Sequence, residues 1–403
     1  MIAKLSWKNL WHKPWNTLLS VILLVSSIAL MTVLVLVQHQ FEDQFQKNVE
    51  DIDLVLGAPG SPLQLILSSV YQVDAPTGNI LYADAKTYMK HPHVRQAIPL
   101  AFGDNYVGFK IVGTTWDYAK KYKANLQQGK AFAKDFEVVV GAQVAQKLSL
   151  KLGDTFYGTH GDAMEGEVHD NHAYEVVGIL EESGQVIDHL ILCTISSVWN
   201  IHAEHEHVEG MEHETMPITE EEQEITAVLL TMKNQIAKLT WPRIIPQSTK
   251  MQAASPAIEI NRLFSLFGIG LEALTYLSYA LLVLSGLSIF IALYSNLKER
   301  QYEFALMRIS GARALQLFWS LLLESWFLTF IGILFGATLG RLALVLLSWS
   351  TEEQFKLVFD PSMILWQKEG MLWILTIFVG FLAACIPAIK AYQIQISKTL
   401  THA

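Results

Sequence analysis

Residues Ile201 to Met216 read IHAEHEHVEGMEHETM, four histidines and five glutamates in sixteen positions of a chain that is 51% hydrophobic. Neutral imidazole and carboxylate are good zinc ligands, and three or four of them suffice to hold the ion. His202 and His205 are three apart, His205 and Glu209 four apart, and Glu209 and His213 four apart, so a helix would set them along one side. A second cluster, HGDAMEGEVHDNH, adds His160, Asp162, His169 and His172. The chemistry these types imply is chelation of Zn2+, with His202, His205, His207 and His213 as the ligands. No C-x2-C or H-x3-H framework fixes their geometry, so a flexible chelating loop is expected rather than a closed tetrahedral site. The same residues also read as a hydrophilic acidic insertion, and the choice depends on where they stand relative to a membrane.

The elements that position them follow from hydropathy. A mean hydropathy of +0.29 with 17% charged residues is too apolar for an ordinary soluble protein and too polar for a bundle of spans alone. Apolar runs at Thr17 to Val37, Ala273 to Ser295, Leu315 to Trp349 and Met371 to Ile389 are each long enough for the ~20 residues a helix needs to cross the hydrocarbon core. The fold class expected is a membrane protein with four transmembrane α-helices, one N-terminal and three C-terminal, and a large α+β extracytoplasmic domain between spans 1 and 2. The expected division is 1–15 interfacial helix, 16–38 span 1, 39–270 external domain, 271–295 span 2, 296–314 cytoplasmic helix, 315–349 span 3, 350–369 external connection, 370–390 span 4 and 391–403 cytoplasmic tail. Within the external domain an inner lobe of about 107–224 should interrupt an outer one near the membrane.

Orientation follows from the basic residues at the span ends. Lys4, Lys8 and Lys13 precede span 1; Lys298, Arg300, Arg308 and Arg313 fill the 2–3 connection; Lys390 and Lys398 follow span 4. All these segments should face the cytoplasm. Residues 41–262 carry 17 Lys or Arg against 30 Asp or Glu, and should lie outside. Span 1 is too long for a cleavable signal core and is expected to stay as an anchor. Trp7, Leu10 and Trp11 share one helical face before Pro14, as in a helix lying on the inner leaflet. Cys193 and Cys385 fall on different sides of this topology and are not expected to pair.

In the external region, DIDLVLG, NYVGFKIVG, FEVVVG, HAYEVVGIL, HLILCTI and ITAVLLTM read as strands, while Leu63 to Tyr71 and Ala142 to Leu148 have helical spacing. From Ser255 the pattern turns helical and runs into span 2. GAPGSP at Gly57 to Pro62 is the strongest turn signal, and it lacks the GxxxxGK[ST] pattern of a phosphate-binding loop. With no Walker A sequence, nucleophile elbow or HExxH motif, a non-catalytic chain is expected.

The connection NLKERQYEFALMRISGAR, Asn296 to Arg313, has Tyr302, Ala305, Leu306 and Ile309 in an apolar stripe, charge at Glu299, Arg300, Glu303 and Arg308, and Gly311 as a helix stop. Such an amphipathic helix suits a partner groove, although the composition also fits a solvated basic loop. The segment resembles the signature of the FtsX-like permeases, the MacB, LolC and LolE group of ABC transporter subunits, whose N-x6-E-x4-R-x2-GA pattern is matched by Asn296, Glu303, Arg308, Gly311 and Ala312. The resemblance continues through QLFWSLLLESWFLTFIGILFGATLG with Glu324, Gly332, Gly336 and Gly340, through PAIKA at Pro387 to Ala391, and through VVVGAQVAQKLSLKLGDTF at Val138 to Phe156.

The resemblance implies an inner-membrane permease, paired with a second permease copy in a homo- or heterodimer and bound to two ATPase subunits that carry the ATP. The 296–313 helix, with Glu299, Arg300, Glu303, Arg308, Gly311 and Arg313, would couple to the ATPase. It further implies that movement is relayed outward, to extract a lipidic substrate or lipoprotein, expel a periplasmic substrate or activate a cell-wall hydrolase. A periplasmic binding protein or adaptor is a possible further partner, alongside membrane lipid, and nucleic acid is not. Glu324, about nine residues into span 3, stands as a functional candidate or a structural hydrogen-bond partner. Gly332, Gly336 and Gly340 present a small face for close helix packing, and Arg341 near the outer end is expected to snorkel. The histidines make zinc transport or sensing the leading substrate expectation.

Overall fold

The computed structural model describes residues 6–9, 14–160, 172–205, 223–355 and 359–394. The chain divides into two compact units, Met1–Glu42 with Leu266–Ala403, and Asp43–Ser265. In chain order the helices are α1 (Pro14–Val49), α2 (Pro62–Ser69), α3 (Tyr82–Met89), α4 (Asp117–Lys121), α5 (Ala142–Leu148), α6 (Ile195–His205), α7 (Gln235–Ser248), α8 (Pro256–Glu299), α9 (Gln301–Ile309), α10 (Ala314–Phe355) and α11 (Trp366–Tyr392).

Four of these, α1, α8, α10 and α11, are long and apolar enough to cross a membrane. Their ends differ from the expected spans. α1 runs on from 38 to Val49, α8 begins at Pro256 rather than 271, and α10 continues past 349 to Phe355, into what was expected as an external connection. Hydropathy marks the apolar window alone, whereas a helix continues while good helix formers follow. Residues 38–49, QHQFEDQFQKNV, contain neither Gly nor Pro to stop it.

The unit Asp43–Ser265 is built on an eleven-stranded sheet. Its strands are β1 (Leu54–Gly57), β3 (Val94–Tyr106), β4 (Phe109–Gly113), β5 (Leu126–Gly129), β6 (Glu137–Val140), β7 (Thr155–Phe156), β8 (Thr159–His160), β9 (Tyr174–Leu180), β10 (Ile191–Cys193), β12 (Ala227–Met232) and β13 (Gln252–Ala254). The order is β13-β1-β12-β3-β4-β10-β6-β9-β5, with β7 on β9 and β8 on β3, while β2 (Ile80–Leu81) and β11 (Glu224–Ile225) form a separate pair. β10 runs parallel to β4, and β6 parallel to β9. The all-buried runs LVLG and EVVV sit inside this sheet, as continuous apolar strands do when both faces are covered.

β3 joins two halves. Its first part pairs with β12, Leu229 opposite Ile98, and its second with β4, Phe102 opposite Val112. The two lobes expected from the sequence therefore share a strand, and Asp43–Ser265 clusters as one compact unit. One continuous hydrophobic core reaches from Leu54 and Leu230 through Ala101 and Ile111 to Val138 and Val176. GAPGSP forms the turn from β1 into α2, where the Ser61 hydroxyl accepts from Gln64 N and Pro62 opens the helix, an N-cap arrangement.

In the membrane unit a second core brings Leu24 and Ile28 of α1 together with Leu282 and Ile289 of α8, Leu321 and Leu328 of α10, and Ala384 and Ala388 of α11.

Candidate coupling site

The segment between α8 and α10 is a short helix held at both ends. Arg300 precedes α9, its main-chain N–H donating to Asn296 O at 3.1 Å, and its Nε donates to Glu303 Oε2 at 2.7 Å. The same guanidinium lies 5.4 Å from the Phe304 ring, within range of a cation–π contact. Phe304 and Ala305 are buried in the core of the membrane unit, and Met307 packs against it. At the far end Gly311 has φ +96°, a left-handed conformation that favours glycine, and Ala312 N donates back to Met307 O at 2.9 Å.

That docking corrects the expected stripe of Tyr302, Ala305, Leu306 and Ile309. Ala305 turns inward with Phe304, leaving Tyr302, Leu306 and Ile309 as the outer apolar row, 49%, 44% and 58% exposed. Glu303 and Arg313 are exposed beside this row, and Arg308 is half-buried. The reason is periodic: residues 304 and 305 face one way while 302, 306 and 309 recur at helical spacing on the other. Glu299, Arg300, Glu303, Arg308, Gly311 and Arg313 are thus carried on a single connection.

Glu324 stands apart from that surface. It is 1% exposed on α10, and its Oε1 accepts a hydrogen bond from Asn9 Nδ2 at 2.7 Å. One turn away the Ser6 hydroxyl donates to Ser320 O at 3.0 Å, and Trp7 meets Phe327 edge-on at 5.6 Å. The helical residues 6–9 are in this way fastened to α10. Asn9 and Ser6 were not singled out by the sequence reading. The signal was available, since a carboxylate inside a span requires a partner.

Gly332, Gly336 and Gly340 face α1. A Cβ at Gly332 would come within 2.1 Å of Leu24 Cδ2, one at Gly336 within 2.6 Å of Ile28 Cβ, and one at Gly340 within 2.9 Å of both Ala29 O and Thr32 Cβ. Around this seam Ser27 Oγ donates to Ser278 O, and Ser325 Oγ to Gly380 O, the hydrogen bonds that small hydroxyls supply between spans. Arg341 does not snorkel as expected. Its Nη2 donates to both carboxylate oxygens of Glu369, at 2.9 and 2.8 Å, and Glu369 is 1% exposed. An ion pair inside the helix packing is favoured because each charge would otherwise lack a partner.

No group of three or more His, Cys, Asp or Glu poised to hold a metal occurs among the described residues. His207 and His213 lie outside them, as do the side chains of His202 and His205, whose backbone ends α6. His172, from the second cluster, stacks on Phe136 at 4.5 Å.

Comparison with known proteins matches residues 17–230 to the MacB-like periplasmic core domain and residues 276–396 to the FtsX-like permease C-terminal family. An uncharacterized ABC transporter permease protein of Mycobacterium tuberculosis is 25% identical over 274 residues, which are 65% of this chain and 29% of that protein. The chain therefore spans less than a third of that relative's length. Among solved structures, the periplasmic region of MacB from Actinobacillus actinomycetemcomitans aligns at TM-score 0.35 and 12% identity, covering 54% of this chain and 97% of that one. The extracellular domain of the noncanonic ABC-type transporter YknZ from Gram-positive bacteria aligns at 0.31 and 14%, covering 50% and 98%. With its first family match extending over more than half of the sequence and the second over the last three spans, the chain belongs to the MacB/FtsX-type family of ABC transporter permeases of the inner membrane.

Proposed function

We propose that this chain is a permease subunit that relays movement, driven by a separate ATPase, along its helices to the external domain, and does not pass substrate between its spans. The observation that carries this reading is the length of two helices. α1 has 36 residues and α8 has 44, about 54 and 66 Å at 1.5 Å per residue, against a hydrocarbon core of about 30 Å. Each is unbroken from its apolar window into residues that belong to Asp43–Ser265, and an unbroken helix carries displacement along its axis. The ionisable side chains Glu324, Arg341 and Glu369 support the same reading, because each is bonded to a neighbour instead of lining a polar path.

In this proposal α9 is the docking element, with Tyr302, Leu306 and Ile309 entering a groove of the ATPase and Glu303 and Arg308 fixing orientation. Two ATPase copies and a second permease copy complete the assembly. Replacing Glu303 and Arg308 together by Ala should leave ATP hydrolysis by the reconstituted complex within about twofold of wild type, since neither residue touches nucleotide. Spin-label distances across the external domain should cease to respond to ATP. Retention of the full ATP-dependent distance change would remove α9 from the coupling role.

The substrate part of the proposal rests on the histidines. A divalent ion, zinc first, is taken up by the segment containing His202, His205, His207 and His213. Calorimetric titration of the full chain with Zn2+ should show micromolar or tighter binding that disappears when these four are changed to Ala. Equal binding by the quadruple variant, or none by wild type, would transfer the substrate search to lipids and lipoproteins.

A further inference from the structure

At the cytoplasmic end of the membrane unit two lysines from different helices meet at one phenol. Tyr294 lies on α8, and its hydroxyl oxygen accepts a hydrogen bond from Lys390 Nζ of α11 at 3.0 Å. The same ammonium stands 4.6 Å from the centroid of the Tyr294 ring, and Lys298 Nζ, one turn further along α8, stands 5.3 Å from it. Two positive charges thus share a single ring. Both lysines are exposed, and among the described residues neither is ion-paired. The segments that carry them are poor in acid: no Asp or Glu occurs from 273 to 298 or from 370 to 403, and Glu299 is the first carboxylate after Lys298. Ammonium groups held this close repel one another, and an anion between them reverses the sign.

The cluster offers hydrogen-bond donors and almost no acceptor. Each ammonium has three N–H groups and no lone pair, and because the Tyr294 oxygen already accepts from Lys390, its O–H can donate to a further group. A phosphate diester is the complement. Its unesterified oxygens only accept, and charge-assisted bonds to them are short and strong.

The surface leading to the cluster identifies the source of that phosphate. Leu287, Ile291, Tyr294 and Lys298 follow one another at intervals of four, three and four along α8, so they form one row on one helix face. Ile386 and Lys390 stand one turn apart on α11. Leu287, Ile291 and Ile386 are exposed, and apolar side chains therefore lead along the span up to the two ammoniums. Acyl chains suit the first part and a phosphate the second. Half-buried Tyr294 sits where the span gives way to charge, the level at which an amphipathic ring is favoured.

We propose that Lys298, Lys390 and Tyr294 form a binding site for the headgroup phosphate of an anionic phospholipid of the inner leaflet, whose acyl chains run along Leu287, Ile291 and Ile386. The bound phosphate neutralises both ammoniums and ties the cytoplasmic ends of α8 and α11 together. The site uses none of the residues assigned above to the ATPase contact and does not depend on the relay reading.

The test is native mass spectrometry of the full chain in detergent, titrated with dioleoylphosphatidylglycerol or with dioleoylphosphatidylcholine. The two lipids share acyl chains and phosphate and differ in net charge. Wild type should bind the anionic lipid about twenty- to thirtyfold more tightly, and Lys298→Gln with Lys390→Gln should abolish the preference, since each basic residue near an anionic lipid adds about fivefold. Lys298→Arg with Lys390→Arg should keep most of it. Tyr294→Phe should weaken both lipids alike, by about three- to tenfold, because both carry the phosphate. Lys8→Gln with Arg313→Gln, which removes equal charge from the same side, should leave the preference in place. An equal fall in that control would reduce the site to diffuse charge attraction and overturn the proposal, as would a wild type without preference. Displacement of the bound lipid by inorganic phosphate in large excess would overturn it too, by making the ligand a free anion. Should the double glutamine variant not give monodisperse protein, wild type against the control pair decides.

Discussion

Gly336→Leu is expected to cost the membrane unit at least about 3 kcal/mol, enough to reduce the yield of monodisperse protein severely. A Cβ at this position would already lie 2.6 Å from Ile28 Cβ, 2.8 Å from Ile28 Cγ2 and 3.1 Å from Val25 O. Carbon atoms in contact prefer about 3.5–4.0 Å. The obstruction is the root of a β-branched side chain and a backbone oxygen, neither of which can swing aside, so α1 and α10 would have to separate. Leucine then adds three further carbons to the same seam.

Gly332→Ala is the informative control. Its Cβ would lie 2.1 Å from Leu24 Cδ2 and 2.6 Å from Leu24 Cγ, so the whole side chain of this core residue must re-orient, at about 1–2 kcal/mol. Thermal unfolding in detergent with size-exclusion chromatography should rank wild type above Gly332→Ala, and both far above Gly336→Leu. Wild-type behaviour of Gly336→Leu would mean that this face of α10 meets lipid and not α1.

The second large effect belongs to Arg341 and Glu369. Arg341→Met leaves a carboxylate that is 1% exposed without its cation, and a buried charge stripped of its partner typically costs about 3–5 kcal/mol. Glu369→Leu strands the arginine, which is 23% exposed and can reach water more readily, so its loss should be smaller. The double variant should recover much of the stability, since an apolar pair of similar volume often replaces a buried ion pair at little cost. A double-mutant cycle read by thermal unfolding isolates the pair. Additive single losses under about 1 kcal/mol each would show that the two charges act as exposed groups, and would refute the buried ion pair.

The difference between Arg341 as read from the sequence and as found in the fold is instructive. Sequence offers local facts: an arginine near the end of an apolar run has a short route to the interface, so snorkelling is its local optimum. Its actual partner stands 28 positions later, at the start of another helix, and only packing of α10 against α11 brings them together. Asn9 and Glu324 repeat the case across 315 positions. Neither pair has a spacing that could be recognised along the chain.

Elsewhere local information sufficed. The run FEVVVG, with three consecutive valines, becomes β6, and the spacing of Ala142 to Leu148 becomes α5, because strand and helix periods are written in consecutive residues. The turn GAPGSP carries its own cap in Ser61 and Pro62. The row on α9 was half legible. Its helical period was clear, but whether Phe304 or Tyr302 faced inward depended on the core of the membrane unit, which Phe304 joins.

By itself, then, the sequence determined the four membrane-length helices, the external α+β unit between the first two, six of that unit's thirteen strands and the family signature on the 2–3 connection. Each of these depends on hydropathy or pattern within a window of some twenty residues. Tertiary structure alone decided the strand order with β3 shared between the two sheet halves, the inward face of α9, the glycine seam against α1, and the partners of Glu324 and Arg341. Those features depend on which distant segments share a close-packed interior or a desolvated site, and free energies of that kind are set by neighbours in space, not by neighbours in the chain.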